Sequence, residues 1–224
     1  MASPLNTKAP APKKNPKRYL DLSAAFPVGG TIARPKFAKY VDKTGVLDAP
    51  VTLANANSQK ATPDAVYDRV VMHWTAGGPL LPYDDYHFCQ VMDTDGEPAI
   101  IRCIKKGYKG QHLHKRNTHA AGFSWCAPGP GAVGAIRLEQ MAKLVAEFCF
   151  KHKLDPAGKT HDGFDVISDH AAYAVVDYPG HRWDVGGQLP AKDPRNLLAP
   201  LRKKAIWYHS QIKTLADCEF AEIL

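Results

Sequence analysis

The stretch "VVMHWTAGG", residues 70 to 78, decides the fold that we expect of this chain. Its leading apolar residues do not alternate with polar ones, which is typical of a strand buried on both faces, and we predict a strand from Val66 to His73. A glycine-rich loop follows at once. Because α/β folds gather reactive groups where strands end and loops begin, His73 is the first candidate site residue.

Other segments predict both strands and helices around this strand. Residues 87 to 104 predict a hairpin, since two apolar runs flank "DTDG" and Asp-Gly favours a tight turn. Residues 137 to 156 place apolar side chains at helical spacing, and Pro156 is expected to stop that helix. "GFDVIS", residues 163 to 168, predicts a short strand just before His170. We therefore expect a single α/β domain with a central mixed β-sheet flanked by helices, with the site at the strand ends.

A further helix is predicted near the C-terminal end. Asp193-Pro194 resembles a helix N-cap followed by proline at the first helical position. Pro200 then predicts an interruption, because a proline inside a helix removes a hydrogen bond and clashes with the preceding turn. The segment is expected to form one helix or a kinked pair of helices.

The composition is that of a globular domain with an appendage. The chain has 224 residues, of which 45% are apolar and 23% charged. Its five cysteines are odd in number and contain no CxxC pair, so we expect small buried thiols rather than disulfides or a cysteine zinc knuckle. No apolar run approaches the roughly 18 residues of a membrane helix, and no signal peptide is recognisable at the start.

The basic charge is concentrated at the beginning of the chain. The net charge is +7, and residues 1 to 18 contribute five lysines and arginines, four prolines and no acid. We expect residues 1–35 to form a basic flexible arm and its lead-in, and residues 36–224 to form the folded domain that carries the candidate site. The arm either keeps the chain soluble or attracts anionic polymers such as nucleic acid, teichoic acid or lipopolysaccharide.

Two histidines and an aspartate form the pattern with the most chemical content. His73 and His170 each stand at the end of a predicted strand, and Asp184 stands in "GHRWDVGG". Two imidazoles and one carboxylate suit a tetrahedral zinc ion whose fourth position is left for water. Zinc lowers the pKa of such a water to about 7 and polarises a carbonyl. The alternative is that these are ordinary structural residues, since the chain has ten histidines.

Four motifs together resemble a known family. They are "VVMHWTAGG", "YHFCQVMDTDG", "THAAG" and "HAAYAVVDYPGHRWDVGG", and they span about residues 64 to 190. Their order and spacing resemble the type 2 N-acetylmuramoyl-L-alanine amidases, a zinc family that includes amidase-type phage lysozymes and peptidoglycan recognition proteins. The resemblance implies zinc-dependent hydrolysis of the amide between N-acetylmuramic acid and L-alanine in bacterial peptidoglycan.

The resemblance also implies a role for each matching residue. The metal ligands would be His73, His170 and Asp184. Tyr86 and Arg182 would be catalytic and would stabilise the tetrahedral oxyanion. The substrate-binding residues would be His119, Trp74 and Thr75, although the tryptophan fits a packing role equally well.

Several features depart from the family pattern. Asp184 lies 14 positions after His170, more than is usual, so Asp177 and His181 are alternative ligands. Arg182 replaces the usual lysine, and because arginine keeps its proton it suits oxyanion stabilisation rather than acid catalysis.

A third departure concerns the general base. Many relatives place a strand after the "HAAG" segment that ends in a glutamate, which some use as a base. Here "FSWCAPGPGAVGAIRLEQ" follows, and Glu139 is either a remnant of that glutamate or a residue of a helix start. We assign it no role.

The expected biology is that of a bacteriophage endolysin. Such an enzyme would act as a monomer, stay in the host bacterial cytoplasm until lysis and then attack the cell wall. The alternatives are a bacterial effector or recycling amidase, and a peptidoglycan-binding protein without catalysis. A nucleic-acid-binding role is disfavoured, because the basic charge lies mainly in the arm and no nucleic-acid motif occurs in the folded part.

Overall fold

The structure, a computed structural model, describes 19–21, 66–76, 78, 85–92, 97–104, 106–113, 115–177 and 184–224. Most of the predicted arm and lead-in lies outside these residues, as do the "DTDG" turn and the segment 178–183. Statements about the rest of the chain are therefore confined to the sequence.

Six strands form one mixed sheet in the order β1-β4-β3-β5-β2-β6. β3, β5, β2 and β6 run in the same direction, whereas β1 and β4 run the opposite way. The strands are β1 Tyr19–Asp21, β2 Arg69–Trp74, β3 Phe88–Met92, β4 Pro98–Arg102, β5 Ala120–Trp125 and β6 Ile167–Asp169. The expected mixed α/β architecture is confirmed.

Helices cover both faces of this sheet. They are α1 Ala135–Lys151, α2 His170–Asp177 and α3 Leu198–Gln211. α1 and α3 pack on one face, where Met72 of β2 and Phe123 of β5 join their buried side chains in the main core. α2 packs on the other face, where Tyr173 contacts Val71 in a smaller cluster. We call these the α1 face and the α2 face of the sheet.

The predicted strand and hairpin are present. β2 begins three residues later than the predicted strand and ends one residue later, at Trp74. β3 and β4 pair antiparallel from Phe88 opposite Arg102 to Met92 opposite Pro98. β2 is hydrogen-bonded on both sides, to β5 and β6, and its first five residues are buried. This explains why its apolar run does not alternate.

Two details of the helix predictions are wrong. α1 ends at Lys151, before Pro156, because Lys153 adopts a left-handed backbone conformation with φ of 56°. Pro200 does not kink α3, since it lies in the first turn, where backbone N–H groups have no intrahelical acceptor. Asp193 instead accepts the Arg195 N–H in a turn that precedes the helix.

Two central elements were not predicted. β5 lies in the middle of the sheet although "AAGFSW" contains no β-branched residue. α2 begins at His170, in a stretch for which the sequence predicted no helix. Within the described residues, no helix combines the length and the apolar character that crossing a membrane requires.

Candidate metal centre

His73, His170 and Asp184 lie together at the carboxyl ends of β2 and β6. These strands are parallel neighbours, and Met72 pairs with Asp169, so the residues that follow them, His73 and His170, stand side by side. His73 Nδ1 is 3.2 Å from Asp184 Oδ2, and His170 Nδ1 is 3.6 Å from the same oxygen. One ligand atom from each residue lies within 4.8 Å of the other two. We call these three residues the trio.

The trio is buried on one side and open on the other. The side chains of His73 and Asp184 are 1% and 4% exposed, whereas that of His170 is 25% exposed. The second oxygen of Asp184 accepts the backbone N–H of Trp74 at 3.0 Å. That bond fixes the carboxylate so that its Oδ2 faces the two imidazoles, and solvent can approach from the His170 side.

Asp169 holds two of the chain segments that supply the trio. Its Oδ1 accepts the N–H of Ala172 in the first turn of α2, and its Oδ2 accepts the N–H of Gly187 at 2.7 Å. A Cβ at Gly187 would meet Asp169 Oδ2 at 2.7 Å, so this close approach needs glycine. Burial raises the pKa of Asp169, the two N–H groups oppose that shift, and the Asp184 carboxylate adds to it. These two hydrogen bonds of Asp169 hold the start of α2 against the segment that contains Asp184.

His112 is a site residue that the sequence analysis did not single out. Its Nδ1 lies 3.0 Å from His73 Nε2, and its Nε2 lies 3.2 Å from the Ala120 carbonyl oxygen. The residue is 6% exposed. Burial holds the pKa of His112 well below its usual range, and the nearby His73 ring lowers it further. The signal in the sequence was weak, because "HLHKRNTH" offers three histidines and no pattern that distinguishes His112 from the others.

Tyr86 also reaches the trio, as the sequence suggested. Its ring packs against the His73 ring with centroids 4.7 Å apart. Trp74 follows His73 in β2 and is partly exposed. Thr75 is partly exposed and donates its backbone N–H to the Trp125 carbonyl. Tyr86 therefore packs on the trio, Trp74 contacts it through its backbone N–H to Asp184, and Thr75 is the next residue along the chain.

The structure places His119 at the opposite edge of the sheet. Its neighbour Ala120 pairs with Arg69 at the start of β2, four residues before His73. The start of β5 is therefore about 13 Å from the position of His73, measured along the strand direction. The His119 ring lies beside that of His161, with centroids 5.0 Å apart. The structure does not bring His119 to the trio. That His119 contacts the substrate stays a prediction, and any such contact would lie at the other end of the strands.

The alternative carboxylates are engaged elsewhere. Asp177, at the far end of α2, accepts a hydrogen bond of 2.8 Å from Arg116. Glu139, on α1, pairs with Lys204 of α3 at 2.5 Å, on the other face of the sheet. Arg182 and the alternative ligand His181 lie outside the described residues. Arg182 as a catalytic residue thus stays a prediction.

Ser124 is the residue of β5 that stands beside His73. The two residues pair in register, so their side chains share the α2 face. The Ser124 hydroxyl is fully buried and has no hydrogen-bond partner among the described residues. β5 carries no carboxylate, so this strand does not supply the glutamate base that was considered in the sequence.

The donor set of the trio fits a zinc ion. Two imidazole nitrogens and one carboxylate oxygen are typical ligands of zinc at sites that keep a position for water. The carboxylate is fixed by Trp74, one imidazole is hydrogen-bonded to His112, and the second imidazole is open to solvent. Supporting hydrogen bonds of this kind usually surround metal ligands in proteins. The trio could therefore hold zinc with a coordination position open.

Comparison with known proteins adds a likeness of fold. No family model matches the sequence, and no curated protein matches it. The solved structure of the hydrolase AmiA from Staphylococcus aureus, in complex with its ligand, matches with a TM-score of 0.50 and 16% identity, over 66% of this chain and 78% of that one. The chain shares the fold of AmiA.

Two proteins from Clostridium intestinale match less closely. The N-acetylmuramoyl-L-alanine amidase LysC has a TM-score of 0.41 and 16% identity, over 58% of this chain and 89% of its own. The endolysin amidase LysCS has the same TM-score and identity, over 54% of this chain and 80% of its own.

Proposed function

We propose that this chain is a zinc-dependent N-acetylmuramoyl-L-alanine amidase that hydrolyses the amide between N-acetylmuramic acid and L-alanine in peptidoglycan. The observation that carries the proposal is the trio at the ends of two parallel strands, with a metal-competent set of donors. The fold shared with AmiA and the four sequence motifs support it.

In this proposal the trio holds zinc through His73, His170 and Asp184. Zinc bound there would supply a water activated at neutral pH and would polarise the scissile carbonyl. Asp184 contributes one negative charge, so the loaded site would keep a net positive charge that favours a developing oxyanion. The substrate would approach from the side of His170, the exposed member of the trio.

Two further side chains would act on the reacting amide. Tyr86 packs on the His73 ring and would direct its hydroxyl to the oxyanion as a hydrogen-bond donor. Arg182 would add a fixed positive charge two residues before Asp184. Trp74 and Thr75 would contact the substrate beside the trio. The burial of His73 keeps bulk water from competing for one side of the site.

We further propose that the protein is a phage endolysin. Acting as a monomer, it would remain in the host cytoplasm until the membrane is breached and then reach the cell wall. The basic residues before position 19 would attract anionic polymers of the envelope. This part of the proposal is supported by the resemblance and by the charge of the arm.

Digestion of purified peptidoglycan tests the proposed reaction. We expect mass spectrometry to find free stem peptides that begin with L-alanine, lost on chelation and restored by zinc. Asp184→Ala should lower the rate by at least about 100-fold, more than the loss of a residue that only supports a ligand. Glu222→Ala removes an exposed carboxylate and should leave the rate unchanged.

The contrary outcome is also defined. Sacculi that stay intact in every condition, while both variants still bind them, would exclude the amidase and favour a peptidoglycan-binding protein without catalysis. Cleavage at full rate by Asp184→Ala would show that Asp184 is not a ligand.

A further inference from the structure

We propose that His112 is a positioning residue that fixes the protonation of the His73 ring, so that Nδ1 of His73 is the atom presented to the metal. The inference rests on the proposed function insofar as it gives the trio a metal. Its core, however, is a chain of hydrogen bonds that runs from the backbone of β5 to the trio. That chain can be observed without substrate.

The series of hydrogen bonds begins at a carbonyl oxygen, which can accept a hydrogen bond but cannot donate one. The Ala120 carbonyl oxygen lies 3.2 Å from His112 Nε2. A carbonyl has no proton to give, so this contact is a hydrogen bond only when His112 Nε2 carries the hydrogen. The imidazole of His112 is thereby held as the Nε2–H tautomer.

The next link passes this constraint to His73. His112 is buried, and the rings packed around it belong to His73, Tyr86 and His87, none of which brings a negative charge. With its proton on Nε2, neutral His112 presents a lone pair at Nδ1. That atom lies 3.0 Å from His73 Nε2, which must therefore donate.

The remaining nitrogen of His73 then faces the trio. Nδ1 lies 3.2 Å from Asp184 Oδ2, an atom that also carries a lone pair. Two acceptors at this distance repel each other unless a cation or a proton lies between them. Because His112 already accepts the hydrogen of Nε2, the ligand atom of His73 is Nδ1, on the side of His170 and Asp184.

The fold holds His112 where it can do this. The ring lies against β5 at Gly122, where an added Cβ would be 2.8 Å from two of its carbon atoms. Asn117 accepts the backbone N–H of His112 at 3.0 Å. Ring and backbone are each anchored, so the hydrogen-bond chain is a fixed part of the fold.

Two substitutions separate the role of the acceptor from that of the ring. In His112→Asn the side-chain oxygen can take the place of Nδ1 and accept from His73. In His112→Leu no acceptor remains. We expect the leucine variant to bind zinc about 10–100-fold more weakly, the usual cost of losing a residue that supports a ligand, and the asparagine variant to recover most of that loss. Zinc alone, titrated against a chelating dye, is the probe.

His209→Leu is the matched control, because it removes a partly buried imidazole from α3, on the α1 face of the sheet. It should bind zinc like the unmodified protein. Far-UV circular dichroism and urea unfolding of each variant establish whether it folds. Equal zinc affinity in the folded leucine variant would overturn the proposal.

A spectroscopic measurement keeps the proposal testable even if His112→Leu does not fold. Long-range ¹H–¹⁵N correlation spectra of the unmodified protein report which ring nitrogen of each histidine carries hydrogen. We expect the Nε2–H tautomer for His112 in both metal-free and zinc-loaded protein, and Nε2–H on zinc-loaded His73. Hydrogen on Nδ1 of His112 would overturn the inference.

The two proposals can fail separately. If the expected tautomers and zinc affinities are found but peptidoglycan is not cleaved, the amidase proposal fails and the role of His112 stands. If peptidoglycan is cleaved but His112 has the other tautomer, the reverse holds.

Discussion

Gly122→Ala should disturb the candidate site without changing any of its polar groups. The new methyl carbon would lie 2.8 Å from Cγ and Cδ2 of His112 and 2.9 Å from its Nε2. These distances are well inside the roughly 3.5–4.0 Å of favourable contact. The ring cannot withdraw freely, because His73 and Ala120 hold its two nitrogens at 3.0 and 3.2 Å.

The magnitude follows from three contributions. Overpacking a tight site costs about 1–3 kcal/mol. Each hydrogen bond lost by the displaced ring adds about 0.5–1.5 kcal/mol. Replacing glycine by alanine in extended backbone returns about 0.4–1 kcal/mol by restricting the unfolded chain. We expect the free energy of unfolding to fall by about 2–4 kcal/mol and zinc affinity to fall about tenfold or more.

Urea unfolding followed by circular dichroism measures the first effect, and the dye titration measures the second. With a slope near 2 kcal/mol per molar urea, the midpoint should fall by about 1–2 M. Gly131→Ala is the control, because nothing lies within 4 Å of a Cβ at that position. If the two variants unfold at the same urea concentration and bind zinc alike, His112 is not anchored by close packing on β5.

Two further predictions concern groups that hold segments of the fold together. Asp169→Ala leaves the N–H groups of Ala172 and Gly187 without their acceptor. It should lower the free energy of unfolding by about 2–4 kcal/mol, measured by urea unfolding, and weaken zinc binding, measured by dye titration. An unchanged urea midpoint would show that these two hydrogen bonds do not stabilise the fold. Burial raises the pKa of Glu147 to about 7 from 4.5. Between these two pH values the folded protein holds a proton that the unfolded chain releases. The contribution of that proton to stability is therefore complete below about pH 4.5 and is lost as the pH rises through 7. Glu147→Gln should therefore gain up to about 3 kcal/mol relative to the unmodified protein between pH 5 and pH 8, and a difference in unfolding free energy that is constant over that range would refute the shift.

The trio could be predicted because two of its members follow apolar strands. "VVM" and "DVIS" mark β2 and β6 by ordinary hydrophobic patterning. His73 directly follows the first run, and His170 follows the second after Asp169. Parallel neighbours bring such positions to one edge of the sheet. The resemblance was what favoured Asp184 over Asp177 and His181, since a ligand on a separate loop leaves no local pattern.

β5 could not be predicted from its residues. Its side chains on the α2 face are Ala120, Gly122 and Ser124, which have little preference for strands. They are small because the His112 ring lies against the strand there, as the contacts of Gly122 show. The small side chains that make β5 hard to predict from the sequence therefore also leave space for the His112 ring.

The same strand boundary also decides where His112 and His119 lie. Both precede β5, and only the start of that strand decides which edge of the sheet each one reaches. Because β5 begins at Ala120, His119 lies at the amino edge, while the preceding loop carries His112 over the α2 face to His73. The sequence alone does not show that boundary, so it could not show which of the two histidines lies beside His73.

The length of chain between the members of the trio has a consequence for the lifetime of the protein. His73 and Asp184 are 111 positions apart, so an ion held by both would act as a reversible cross-link that closes most of the described domain into a ring. Closing so long a loop removes many conformations from the unfolded chain. An ion present at 1,000 times its dissociation constant would stabilise the folded state by about 4 kcal/mol. The supply of metal would then determine how long the folded protein survives in the presence of proteases.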